Sequence, residues 1–92
     1  MKTIKVIYNQ ESKWVLDLMS KIHDVVIESY DRDHHKDKKK SILLMARYGA
    51  KLTPLLIFSD DEGVEYDAYW TESKKELTVD LIKKYLDVSS NI

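Results

Sequence analysis

The chain has 92 residues, with 15 Lys and Arg against 16 Asp and Glu, a formal charge of −1. This balance excludes a generally basic nucleic-acid binder and an acidic-tail protein. Hydrophobic residues at 43% and charged residues at 34% suit one folded domain over residues 1–92, not wholesale disorder.

Cysteine is absent. Disulfides, thiolate catalysis, zinc–thiolate sites and iron–sulfur clusters are therefore excluded. No apolar run approaches the ~20 residues that span a bilayer. Met1 to Lys5 alternates instead of forming a signal-peptide core. The expectation is a cytoplasmic protein with no membrane contact.

Thr3 to Tyr8 is β-rich and mostly apolar, which predicts a strand buried on both faces. Asn9-Gln10-Glu11-Ser12 supplies short polar groups that suit a helix cap, with Ser12 read as the cap. Trp14, Val15, Leu18, Met19 and Ile22 fall at helical spacing and predict a helix from Lys13 to about His23. Val25 to about Tyr30 is a second β-branched run.

Asp31 to Lys40 is charged. It predicts a loop that enters a second helix capped by Asp37, running to about Tyr48 and burying Ile42, Leu43, Met45 and Ala46. Gly49 suits the left-handed position that closes a helix. Leu55 to Phe58 predicts a third strand opened by Pro54. Ser59 to Gly63 predicts a hairpin loop. Val64 to Trp70 alternates, with Val64, Tyr66, Ala68 and Trp70 on one face. A last helix is capped by Thr78, or by Ser73 with Glu76, and buries Leu81, Ile82, Tyr85 and Leu86.

The order is β-α-β-α-β-β-α, an α/β chain. Three strands joined through helices predict parallel crossovers. The final hairpin adds an antiparallel edge, giving a four-stranded mixed sheet with helices on both faces.

This order resembles the thioredoxin and glutaredoxin fold. The local match is Arg47 to Phe58, where a Tyr48-Gly49 helix end and a short loop lead to Thr53-Pro54 and a hydrophobic strand. The resemblance implies a cis Thr53-Pro54 bond facing the active-site loop. The proline's tertiary amide makes cis accessible, and it has no N–H to lose from a ladder. The family's redox site is Cys-x-x-Cys at the start of the first helix. Here that region reads Asn9-Gln10-Glu11-Ser12-Lys13, without sulfur. Thiol–disulfide exchange needs an attacking thiolate, so that activity is excluded.

The resemblance further implies a partner-binding surface built from three loops. Mapped here they hold Asn9, Gln10, Glu11, Ser12 and Trp14; Leu52, Thr53 and Pro54; and Trp70, Thr71 and Glu72. Trp14 reads equally as a core residue or as an exposed anchor, since Trp is enriched at interface hot spots. The expectation is a non-catalytic protein-binding module without a cofactor or metal, a monomer or weak homodimer whose partner is another protein. Self-association through the hairpin edge near Tyr66 to Trp70 is the homodimer route.

Two other readings stand beside it. Glutathione transferases are similar in fold and use a Tyr or Ser near the first strand and helix, which points to Tyr8, Ser12 and the Glu72-Ser73 pair as a glutathione-type ligand site. A hydroxyl needs a base to act, and none is evident in the sequence. The basic run Lys36, Lys38, Lys39 and Lys40 suggests phosphate or nucleic-acid contact. Neighbouring aspartates dilute it, no aromatic platform is interleaved, and it reads as a solvated helix start. His34-His35 among Asp31, Asp33 and Asp37 reads as a solvated loop, not a metal site.

Overall fold

The structure, a computed structural model, describes residues 1–87. Its elements are β1 (Lys2–Tyr8), α1 (Val15–Met19), β2 (Val25–Asp31), α2 (Lys38–Arg47), β3 (Leu55–Ser59), β4 (Glu65–Trp70) and α3 (Val79–Asp87). The strands form one sheet in the order β2-β1-β3-β4. β1 and β3 are the inner strands, and β3 is buried at all five positions. The lack of alternation in β3 follows from this place, with both edges paired and both faces covered; β1 is buried at Ile4, Val6 and Ile7, with Lys5 half-buried between them.

Ile4, Val6, Leu56 and Phe58 point to one face, where Val15, Met19 and Ile22 of the first helical segment meet Leu77 and Ile82. Ile7, Leu55 and Ile57 point to the other, against Leu44 and Met45 of α2. Burying each such side chain stabilises by about 1.5–3 kcal/mol. Phe58 also stacks on Tyr85 of α3, with ring centroids 4.9 Å apart.

β2 runs parallel to β1, but β3 runs antiparallel to it. The expected parallel crossover into β3 is therefore incorrect. α2 returns from the end of the sheet where β1 finishes, and residues 48–54 then retrace that path before β3 begins. A strand–helix–strand pattern hides such a second return.

α2 has the expected place but another rotation. Ser41, Leu44 and Met45 are buried, whereas Ile42, Leu43 and Ala46 are exposed, against expectation. Positions 41, 44, 45 and 48 make the inward stripe at the helical repeat. The unbroken apolar run Ile42 to Ala46 does not reveal that phase. Asp37 occupies the N-cap position without a side-chain cap bond. Its carboxylate accepts the Asp31 N–H at 3.2 Å instead. Gly49 has φ of 65°, the left-handed value expected after the helix.

The alternation expected along β4 is broken. Phe58 pairs with Asp67 but Ser59 pairs with Glu65, leaving Tyr66 as an extra residue, a β-bulge. The bulge sends Tyr66 and Tyr69 to the α1 and α3 face, while Ala68 and Trp70 pack on the α2 face. Val64 is exposed. The hairpin turn is closed by Asp60, whose Oδ1 accepts the N–H groups of Glu62 and Val64, each at 2.9 Å.

α1 is shorter than the Lys13 to His23 helix expected, because its flanks are turns closed by i to i+3 bonds, such as Val15 N–H to Ser12 O and Ile22 N–H to Met19 O. Thr78 caps α3, with its Oγ1 accepting the Leu81 N–H at 3.2 Å. Of that helix, Ile82 is fully buried and Leu81, Tyr85 and Leu86 are half-buried against the core.

Candidate functional site

The chain leaves β1 at Tyr8 and turns at once. Asn9 Oδ1 accepts the Ser12 N–H at 2.9 Å, and Ser12 Oγ accepts the Asn9 N–H at 2.9 Å. This is the reciprocal pattern of a capping box. Asn9 thus caps the turn that leads into α1, with Ser12 its return partner, while Trp14 holds the N-cap position of α1 without a side-chain bond, a correction to the reading of Ser12 as the helix cap.

Ser12 is 3% exposed, and its Oγ lies 2.9 Å from Asn9 Oδ1 and 2.8 Å from Thr53 Oγ1. Asn9 Oδ1 can only accept, so Ser12 donates its one proton there and the Thr53 hydroxyl donates to Ser12. The serine hydroxyl is then saturated: one proton given and two lone pairs filled. An amide oxygen is no base, so nothing in this network activates Ser12 as a nucleophile.

Thr53 comes from the loop that follows α2, and the Thr53–Pro54 peptide bond is cis. Pro54 is buried beneath the site, and its carbonyl accepts the Thr71 N–H at 3.4 Å. No main-chain hydrogen bond occupies Thr53 among the described residues. Thr71 is itself fixed from below, its Oγ1 donating to Glu76 at 2.9 Å and accepting the Ser73 N–H at 3.1 Å.

Around this network lies an open cavity of about 170 Å³, lined by Asn9, Glu11, Ser12, Trp14, Arg32, Leu52, Thr53 and Glu72. Trp14 is half-buried: its ring packs against the core and also lines the cavity. Leu52 stands on the rim, 40% exposed.

Gln10 is exposed and does not line the cavity. Trp70 is turned to the other face of the sheet, against Ile7 and α2, so the structure does not bring it to this site. Its register with Leu55 puts it there. Arg32 is the lining residue with no signal in the sequence. It lies just past β2, held by its N–H bond to Tyr8 O at 2.7 Å, and only the parallel pairing of β1 and β2 brings it alongside Asn9. Its side chain has no partner among the described residues.

Tyr8 does not line the cavity. Burial, followed by the Asp31 and Asp37 carboxylates, pushes its phenol above the ordinary tyrosine value. It stays neutral at physiological pH, the opposite of a phenol tuned to give up its proton.

On the far face, the bulge in β4 aims Glu65 at α2. Arg47 Nη1 donates to both its oxygens, at 2.9 and 3.2 Å, the Tyr48 hydroxyl donates to Oε1, and Lys5 Nζ lies 3.4 Å from Oε2. The Tyr48 hydrogen bond, with Arg47 and Lys5, holds the carboxyl below its usual value against the opposing effect of burial. This cluster fastens the end of α2 to the sheet edge.

Solved structures share the fold of this four-stranded sheet and its helices. The thioredoxin from Aeropyrum pernix superposes with a TM-score of 0.58 at 17% identity, over 91% of this chain and 74% of that one. A structure titled DsbH oxidoreductase gives 0.51 at 16% identity, over 91% and 69%. The chain has a thioredoxin-like fold. No family model matches the sequence, and no curated protein matches it. With no cysteine in the chain, this thioredoxin-like domain cannot perform thiol–disulfide exchange. No helix among the described residues is long and apolar enough to cross a membrane.

Proposed function

We propose that this thioredoxin-like domain is a non-catalytic binding module. It takes an extended segment of another protein into the cavity beside Thr53 and Pro54. The observation that carries the reading is the contrast at that cavity. Ser12 sits at the place of the fold's redox group with its hydroxyl saturated. The walls around it stay open, with Trp14 and Leu52 offering apolar surface and the Thr53 main chain left without a backbone partner.

An extended chain can pair with such a free main-chain edge and place a side chain against an aromatic wall. The chemistry of the site supports the reading over a transferase-like one, because Ser12 has no base and Tyr8 is outside the cavity and held protonated.

The test is affinity capture from the native source with the wild type, Trp14→Ala and Leu52→Glu, each first shown to fold. Trp14→Ala removes the aromatic wall and should weaken capture by about 2 kcal/mol, the scale of an interface hot spot. Leu52→Glu changes an exposed rim residue, so its loss of capture cannot be ascribed to unfolding. A partner held equally by all three folded proteins contradicts the assignment.

A further inference from the structure

α2 carries a second surface that neither the fold nor the cavity uses. Its ten residues include no carboxylate, and its first turn has three lysines where the helix dipole favours acids. No side-chain cap offsets them. Lys40 is occupied, its Nζ lying 4.6 Å from the centre of the Tyr30 ring. Lys38 and Lys39 are free of partners among the described residues.

Between these lysines and the outer face lie Ile42 and Leu43, 48% and 61% exposed. With His35 they line a shallow open depression of about 420 Å³. Ala46 continues the exposed strip. Positions 39, 42 and 46 of the helix are spaced by three and four residues, with His35 in the turn that precedes it, so the strip runs along the helix as a seam for another helix.

We infer that this strip of α2 docks an acidic amphipathic helix of another protein. The partner's apolar side chains would sit on Ile42 and Leu43, and its carboxylates would face Lys38 and Lys39. Charge selects this occupant. A second copy would set the lysines against their own equivalents in parallel packing or against Arg47 in antiparallel packing, with no carboxylate on the helix to offset them, which like charge opposes. A nucleic acid would meet an aliphatic centre without an aromatic stacking platform. A bilayer surface would find only two large aliphatic side chains to hold, too little apolar area for stable insertion.

The probe is a peptide of about 18 residues, long enough to be helical, with Leu at i, i+3, i+4 and i+7, Glu on both flanks and Ala outside. Titration into the labelled protein, followed by nuclear magnetic resonance, should shift signals from His35 through Ala46 and leave Ser12 and Thr53 unmoved. Affinity should drop at least tenfold in Leu43→Glu and in the Lys38→Glu/Lys39→Glu double variant, all exposed positions. It should fall several-fold as salt rises from about 0.05 to about 0.3 M. The same peptide with Lys for Glu should not bind. No shift at millimolar acidic peptide overturns the inference, as does equal binding of the basic peptide or shifts centred on the Ser12 cavity. Sedimentation with phosphatidylserine vesicles, in the absence of peptide shifts, also overturns it and assigns the strip to a lipid surface.

Discussion

Glu65 shows how one residue is set by its surroundings. Its carboxyl is held below the usual value by the Tyr48 hydrogen bond first, then by Arg47 and Lys5. A carboxyl lowered in the folded state contributes stability that is complete above its unfolded value and is lost as pH falls through the folded one. Glu65→Gln should therefore cost about 1–2 kcal/mol at neutral pH, the scale of hydrogen bonds to a charged group. The gap to wild type should close in acid, below the ordinary carboxylate range. Urea unfolding of both proteins at neutral pH and near pH 3 checks this; a gap independent of pH contradicts the cluster's charge.

Ser12 gives a second test at this scale. Ser12→Ala removes the partner of the Asn9 N–H and of the Thr53 hydroxyl, while Asn9 Oδ1 keeps the Ser12 N–H. The expected cost is about 1–3 kcal/mol of stability, since buried polar groups left unpaired are expensive, measured by the same unfolding. That Ser12 matters was legible in its place after the first strand. Its role was not, because the partner Thr53 is 41 positions away and no local pattern joins them. Arg32 was invisible for a like reason.

Among the elements, those with a single physical solution were legible. β1 was legible as a strand buried on both faces and β3 as a strand opened by Pro54, because Ile4, Val6 and Ile7 and the unbroken run Leu55 to Phe58 are β-rich and apolar, and both are inner strands of the sheet. The Thr78 cap of α3 was one of two readings, and the structure chooses it. Thr78→Ala should cost about 1 kcal/mol, with faster amide exchange confined to the first turn of α3; unchanged exchange there would contradict the cap. The phase of α2 was not legible, because an apolar run from Ile42 to Ala46 permits several rotations. Nor was the bulge in β4. Its sequence alternates faithfully, yet Glu65 finds three polar partners on the α2 face and Tyr66 finds the apolar face beside Phe58 and α3. Satisfying both outweighs keeping the ladder regular.

At the scale of the whole molecule, the element order was readable but the direction of β3 was not. The helix before it suggests one return across the sheet, and residues 48–54 make a second. That second return carries Thr53 and Pro54 back to the end where β1 stops, and so brings Thr53 to Ser12. The cavity exists because of the topology that the local pattern concealed. Its support is the apolar layer beneath, centred on the fully buried Phe58. Phe58→Ala should cost about 3–5 kcal/mol, a large share of the stability of a domain this small, read as a lowered denaturation midpoint.

The central claim is that the cavity beside Thr53 receives another protein. Site-specific photocrosslinking in the native source tests it most directly, with a benzophenone side chain placed at Leu52 on the cavity rim and, as a control, at Val26 on the exposed edge strand β2. An adduct with a discrete protein from Leu52, absent from Val26 and lost when Trp14→Ala is added in a folded background, is the predicted result. Adducts from Val26 alone, or none from Leu52, would contradict the claim.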